Sequence, residues 1–132
     1  MGVVTVLLAY NDTPQGNAAL EVAVDEATRR GTTLALLCLT AQADDGRADS
    51  EAAHAASQLP DALAHPPVVF RTHDQVPADA ILDAAERIEP ELVVLGARRR
   101  PDVGMFLLGT TTQRVLLDSP VPVLVVKGTP DA

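Results

Sequence analysis

The stretch LVVLGARRRPDVGMFLLGT, residues 92–110, decides the fold that we predict for this chain. Its first four residues are aliphatic without a break, which is typical of a strand buried on both faces of a parallel sheet. We expect Gly96 to end this strand, and a loop with three consecutive arginines then leads to Gly109. Thr110 is followed three residues later by Gln113, which is the pattern of a capping box. We therefore expect Thr110 to be the N-cap of a short helix.

This loop has the properties of an anion-binding segment. Glycine allows the backbone to approach a ligand closely, and a helix N-terminus presents unpaired N–H groups and the positive end of its dipole. The loop also holds three of the ten positive charges of the chain, on Arg98, Arg99 and Arg100. These arginines form either an anion clamp or a solvated loop face, since charge runs are often simply solvated. The sequence predicts an anion site between Gly96 and Thr110.

Short apolar runs alternate with helical patterns along the rest of the chain. We expect strands at residues 3–9, 33–40, 68–72, 91–95 and 121–126, and helices at residues 14–30, 77–89 and 110–119. Residues 51–59 predict a short or broken helix, because Pro60 follows. Thr13 is a candidate N-cap for the first long helix, and Gly31 suits the position just past its end. This alternation predicts an α/β fold in one domain, residues 1–132, with a doubly wound parallel sheet between helices on both faces.

Composition narrows the class of protein. The formal net charge of −8 disfavours binding to nucleic acid or to an anionic membrane surface, because both need a basic face. No apolar run is long enough to span a bilayer, and the N-terminus lacks the basic start of a signal peptide, so we expect a soluble cytoplasmic protein. The single cysteine, Cys38, lies in an apolar run and is predicted to be a buried inert thiol.

Motifs for catalysis or metal binding are not evident in the sequence. His54, His65 and His73 lack the spacing of metal ligands, and no nucleophile–histidine–acid signature is present. The only lysine is Lys127, which excludes a Walker lysine. We therefore predict no metal site, no catalytic residues and no enzymatic activity.

A phosphorelay receiver is one alternative for a small α/β domain. Asp12, Asp74 and Lys127 follow predicted strands and superficially match the acidic and basic residues that such a domain needs. The long glycine-containing loop after the fourth strand has no place in a receiver, however, and Asn11 stands where one acidic residue should be. This alternative therefore ranks well below the family resemblance described next.

The segment from Gly96 to Thr110 resembles the nucleotide loop of the universal stress protein (UspA-like) family. The family pattern is Gly, two residues, Gly, nine residues, Gly, and then Ser or Thr. Gly96, Gly109 and Thr110 match it, whereas Arg99 replaces the second glycine. The resemblance continues through LLAYNDTPQGNAAL, DQVPADAILDAA and SPVPVLVVK, and so covers essentially the whole chain. It implies a five-stranded sheet in the order 3-2-1-4-5, which sets the Asn11 turn opposite the glycine loop.

The resemblance also implies a ligand, ATP, in the crevice between these two loops. The cofactor-binding residues it implies are Ala9, Asn11, Thr13, Leu39, Leu95, Gly96, Arg98, Arg99, Gly109, Thr110 and Thr111. Asn11 stands where the family usually has an aspartate, and a neutral amide is the weaker acceptor for ribose hydroxyls. Arg99 either blocks the site or reaches the phosphates bidentately.

Family members of this kind form homodimers through the last strand, antiparallel across a two-fold axis. Here that strand comprises Val121, Val123, Leu124, Val125 and Val126. The function implied is adenine-nucleotide binding in stress response and signalling, as a dimer. The alternatives are a nucleotide-free homodimeric interaction module of the same family and, with less support because no general base is identifiable, a weak ATPase.

Overall fold

Five strands and four helices alternate along the chain in the computed structural model, which describes residues 5–98 and 109–128. The strands are β1 Thr5–Tyr10, β2 Thr33–Cys38, β3 Val68–Phe70, β4 Leu92–Ala97 and β5 Val123–Lys127. The helices are α1 Pro14–Arg30, α2 Arg47–Ser57, α3 Pro77–Ile88 and α4 Thr110–Asp118, with a 3₁₀ turn at Asp61–Leu63. Among these residues no helix is both long and apolar enough to cross a membrane.

All strand pairs are parallel, and their order is β3-β2-β1-β4-β5. This confirms the order that the sequence predicted. The first strand therefore lies between β2 and β4, whereas a receiver domain has the order 2-1-3-4-5. The strand order thus excludes the receiver alternative.

The core consists of two aliphatic layers, one on each face of the sheet. Successive side chains of a strand point to opposite faces, so Val6 and Leu8 join the layer under α1 and α2. Leu7 and Val93 join the layer under α3 and α4. Alanines on the inner faces of the helices bring them close to the sheet, and Cys38 is buried as predicted.

The first long helix has the predicted ends. Thr13 is the N-cap of α1 and accepts a hydrogen bond from the backbone N–H of Gly16 at 3.0 Å. Gly31 follows the last turn in the left-handed conformation, with φ of 63°. This conformation favours glycine, which has no Cβ to clash.

Several predicted boundaries are wrong. Helix α2 is continuous and begins at Arg47 instead of residue 51, because Gly46 turns the chain with φ of 71° and Pro60 lies beyond the helix end.

Strands β2 and β3 each end two residues earlier than predicted. Strand β5 begins at Val123, so Val121 lies outside it. Pro122 has no N–H, and only its carbonyl joins the ladder, accepting from Val93 N at 2.9 Å.

Two predictions about the glycine loop also need correction. Gly96 does not end β4 but lies within it, paired with Val126. Thr110 is the first residue of α4, and Gly109 with extended backbone is its N-cap, so no side chain of the described residues caps this helix. The capping box fails because the chain enters the helix one residue earlier than predicted, with Gln113 N bonding to the carbonyl of Gly109 at 3.0 Å.

Candidate functional site

A cleft of about 380 Å³ opens at the carboxyl edge of the sheet, where β1 and β4 diverge to connections on opposite faces. Such switch points are where open α/β sheets bind ligands. Six residues singled out from the sequence line this cleft: Ala9, Asn11, Leu39, Leu95, Gly96 and Thr111. The structure thus brings the Asn11 turn and the end of β4 together at one site.

The turn after β1 is held by its own side chains. The Thr13 hydroxyl accepts from Gly16 N–H and donates to Asn11 Oδ1 at 2.8 Å, so capping and the orientation of Asn11 depend on the same group. Asn11 therefore keeps part of its acceptor capacity and the two N–H donors of its amide for a ligand. Thr13 itself serves the helix and does not line the cleft.

Helix α2 fixes the same turn from the other side. Oε1 of Glu51 accepts a hydrogen bond from the backbone N–H of Asp12 at 2.8 Å. Glu51 is only 9% exposed, and its Oε2 is buried without a hydrogen-bond partner, 3.8 Å from Nε of Arg47. The buried carboxylate thus ties α2 to the turn, and the exposed Arg47 partly balances its charge.

Burial at this edge also changes the protonation of two side chains. Tyr10, whose hydroxyl donates to Asn17 Oδ1 at 2.8 Å, has its pKa raised to about 12, mainly by burial and then by Asp12 and Glu51. Burial likewise raises the pKa of the Cys38 thiol. Both side chains are therefore neutral near pH 7, and Cys38 lacks the thiolate character of a nucleophile.

The packing of α1 against β4 is sufficient to require a glycine at position 96. A Cβ at this position would lie 2.2 Å from the backbone oxygen of Gln15, in the first turn of α1. At Gly109, by contrast, no atom of the described residues other than Gly109 and its chain neighbours lies within 4 Å of an added Cβ. The first glycine of the loop thus lets α1 settle on β4, whereas packing within the described residues does not account for Gly109.

The remaining predicted residues lie around the cleft or outside the described residues. Gly109 and Thr110 are exposed at the start of α4, next to Thr111, which does line the cleft. Arg98 is exposed at the end of β4. Arg99 and the rest of the loop to residue 108 lie outside the described residues, so the roles suggested for Arg99 and Arg100 stay predictions.

The cleft also contains two arginines that the sequence did not single out, Arg47 and Arg71. Nε of Arg71 donates to the carbonyl of Leu39 at 2.6 Å, and Nη1 donates to the carbonyl of Gln75 at 2.7 Å. The guanidinium therefore lies at the ends of β2 and β3, at the far side of the cleft from Gly96. No group of metal-ligating side chains occurs among the described residues.

The sequence model of the universal stress protein family matches residues 3–127. A universal stress protein of Mycolicibacterium smegmatis is 38% identical over 128 residues, covering 92% of this chain and 96% of that protein. The chain belongs to the universal stress protein family. The predicted family is thereby confirmed.

Solved structures of the family share the fold. A universal stress protein from Archaeoglobus fulgidus, determined in complex with dAMP, has a TM-score of 0.76 at 19% identity, covering 96% of this chain and all of that one. A family member from Arabidopsis thaliana, determined with AMP bound, has a TM-score of 0.68 at 19% identity, covering 97% of this chain and 94% of that chain. At these identities the comparison establishes the α/β architecture.

Arg47 and Arg71 were missed for a physical reason. Neither belongs to a glycine motif, and an isolated arginine in a sequence is most often solvated. In the structure Arg71 directly follows β3, and this placement brings its side chain to the ligand edge of the sheet. The sequence predicted a strand at residues 68–72, so Arg71 fell inside the predicted strand instead of just after it.

Proposed function

We propose that this family member binds an adenine nucleotide, ATP or its hydrolysis products, in the cleft between the Asn11 turn and α4. Binding and release of the nucleotide, rather than its turnover, would then regulate partner binding in a stress response. The observation that carries this proposal is the 380 Å³ cleft at the β1–β4 switch point, lined by six of the residues singled out from the sequence. Relatives with the same fold bind dAMP and AMP. A cytoplasmic location stays a prediction.

The phosphates are proposed to lie against the N-terminus of α4, near Gly109 and Thr110. Four N–H groups of a helix start have no partner within the helix, and the dipole there favours negative charge. Thr111 lines the cleft from this side, and Arg98 adds an exposed cation at the end of β4. The ribose would then lie over β1, where Asn11 offers both amide donors and an acceptor.

Calorimetry and thermal unfolding test the proposal directly. A ligand present at about 100 times its dissociation constant stabilises the native state by about 2.7 kcal/mol, which corresponds to several degrees for a chain of this size. We expect ATP or AMP at millimolar concentration to raise the melting temperature, and inorganic phosphate to do so much less. An unchanged melting temperature, together with no nucleotide in the purified protein by mass spectrometry, would overturn the proposal.

The Asn11→Asp variant tests the placement of the ribose. A carboxylate accepts hydrogen bonds more strongly than an amide, so AMP should bind this variant about tenfold more tightly. A matched ligand without the ribose 2′ and 3′ hydroxyls, dideoxy-AMP, should gain nothing. Equal gains for both ligands would show that Asn11 does not contact the ribose.

We further propose a homodimer formed through β5. Among the described residues this strand pairs only with β4, and its aliphatic side chains are only partly buried. An unpaired apolar edge strand favours association with another strand. Leu116 and Leu117 of α4, which precedes β5 in the chain, add exposed apolar surface, with Leu117 83% exposed.

A charged substitution on each edge strand of the sheet tests the proposed dimer. Val125→Asp should give a monomer by light scattering, because the carboxylate would be buried in the proposed interface. Val68→Asp, on the opposite edge strand β3, is the matched control and should leave the dimer intact. Circular dichroism checks that both variants are folded. A dimer that survives Val125→Asp contradicts this interface.

A second candidate function follows if nucleotide binding is absent. The β5 edge, which borders only β4 in the part of the chain that the structure describes, and the exposed Leu117 favour a nucleotide-free interaction module whose function depends on the dimer surface. A dimer that binds no nucleotide would support this function. If the wild-type protein released inorganic phosphate from ATP and a variant of the cleft did not, a weak ATPase activity would be supported instead.

A further inference from the structure

The guanidinium of Arg71 lines the cleft and is fixed there by neutral partners. Its two hydrogen bonds go to the backbone carbonyls of Leu39 and Gln75. No ion pair among the described residues involves it. Arg71 is therefore a half-buried positive charge in a defined orientation, without a carboxylate partner among the described residues.

Arg71 also changes what the end of β2 can offer a ligand. The backbone N–H of Leu39 donates to the carbonyl of Tyr10 at 2.8 Å, and the carbonyl of Leu39 accepts from Arg71. A guanidinium carries five N–H donors and no acceptor, and only two of these donors are used by the described residues. The ligand meets spare donors at this end of the cleft.

The order of the strands places this donor group at the base end of a bound nucleotide. This step depends on the proposed function, in which the phosphates lie at α4 beside β4. Adjacent strands are about 4.8 Å apart, so the end of β3 lies about 14 Å from the end of β4 across β1 and β2. A nucleoside monophosphate that begins at α4 therefore extends its base toward Leu39 and Arg71.

Purines differ at position 6 in whether they donate or accept a hydrogen bond. Adenine has an amino group there, which donates, whereas guanine and hypoxanthine have an oxygen, which accepts. Arginine pairs with the oxygen and the adjacent N7 of such 6-oxopurines, but it offers no acceptor to an amino group. We infer that Arg71 determines base selectivity in this cleft and that a 6-oxopurine nucleotide binds at least as tightly as its adenine counterpart.

AMP and IMP form a suitable pair of probes, because they share ribose and phosphate and differ only at position 6 of the base and at the adjacent N1, which carries a hydrogen in IMP. Their dissociation constants are measured by calorimetry on the wild-type protein and on Arg71→Met, which removes the donors and frees the Leu39 carbonyl. We expect the wild type to bind IMP at least as tightly as AMP. In Arg71→Met the dissociation constant of AMP, divided by that of IMP, should fall at least tenfold, so that the preference shifts toward AMP.

Two further variants keep the test interpretable. Arg87→Met removes the same charge from the exposed last turn of α3 and should leave the ratio unchanged. Arg71→Lys keeps the charge but not the planar fork, and its ratio should move at least threefold toward AMP. This variant decides the question if Arg71→Met does not fold by circular dichroism.

The possible failures are distinguishable. Binding of AMP with a ratio that Arg71→Met and Arg71→Lys leave unchanged would overturn this inference and leave the proposed function standing. Tighter binding of AMP than of IMP by the wild-type protein would also overturn it. Binding of neither nucleotide at millimolar concentration would overturn the proposed function and this inference with it.

Discussion

At the scale of single residues, two glycines of the same loop have different surroundings. A Cβ on Gly96 would lie 2.2 Å from the oxygen of Gln15, whereas a Cβ on Gly109 would have no described atom within 4 Å apart from Gly109 and its chain neighbours. Gly96→Ala should therefore lower the free energy of unfolding by about 1–3 kcal/mol through overpacking, as measured by urea denaturation. Gly109→Ala should change it by less than about 1 kcal/mol, the scale of an N-cap substitution.

The same two variants separate packing from ligand binding. If the phosphates approach Gly109 closely, Gly109→Ala should weaken AMP binding without loss of stability. Equal stability losses in both variants would contradict the different roles that we assign to the two glycines.

Tyr10 gives a pH dependence with a predictable sign. Its pKa is raised from 10.0 to about 12, so above pH 10 the unfolded chain loses this proton before the folded chain does. The stabilisation is complete below pH 10 and is lost as the pH rises through about 12, which amounts to about 2–3 kcal/mol. Because Tyr10 is the only tyrosine, the ultraviolet absorbance of tyrosinate reports on it alone.

The titration has two internal controls. In concentrated urea the midpoint should return to about 10, the value of an exposed tyrosine. Tyr10→Phe should remove this part of the pH dependence of stability. A folded-state midpoint near 10 would show that burial does not perturb this hydroxyl.

At the scale of elements, the attachment of α2 to the turn after β1 depends on Glu51. Glu51→Ala should cost about 1–3 kcal/mol of stability, because the N–H of Asp12 loses its acceptor. Glu51→Gln keeps an acceptor oxygen and removes the buried charge, so its cost should be under about 1 kcal/mol. Urea denaturation measures both, and a larger cost for Gln than for Ala would contradict this role.

Elements were predictable where local chemistry and packing agree. Thr13, Pro14 and Gly31 mark the ends of α1 by caps that act within the chain, and the structure has α1 at the predicted bounds. The aliphatic runs of β1 and β4 likewise predicted two strands, which pair with each other in the structure. In contrast, the N-cap of α2 is Gly46, which has no side chain to cap the helix, so the start of α2 depends on backbone conformation rather than on a side-chain motif.

The candidate site was predictable only in part. The cleft position follows from strand order, and six of its residues follow from the family resemblance. Arg71 enters the site through hydrogen bonds to the carbonyls of Leu39 and Gln75, which sequence spacing does not encode. Gly96 lines the cleft, and its role as a ligand contact stays a prediction; the 2.2 Å between an added Cβ and the oxygen of Gln15 shows in addition that packing requires a glycine there.

At the scale of the whole molecule, net charge opposes the dimer that the β5 edge favours. Each copy carries a formal charge of −8, so association brings two acidic bodies together. Salt shortens the Debye length from about 30 Å at about 0.01 M to about 3 Å at about 1 M, and it does not weaken apolar contacts. Sedimentation should therefore show a dimer dissociation constant that falls as salt rises, with Val125→Asp as the monomer reference. A constant that rises would mean that ion pairs, rather than the aliphatic edge, hold the two copies together.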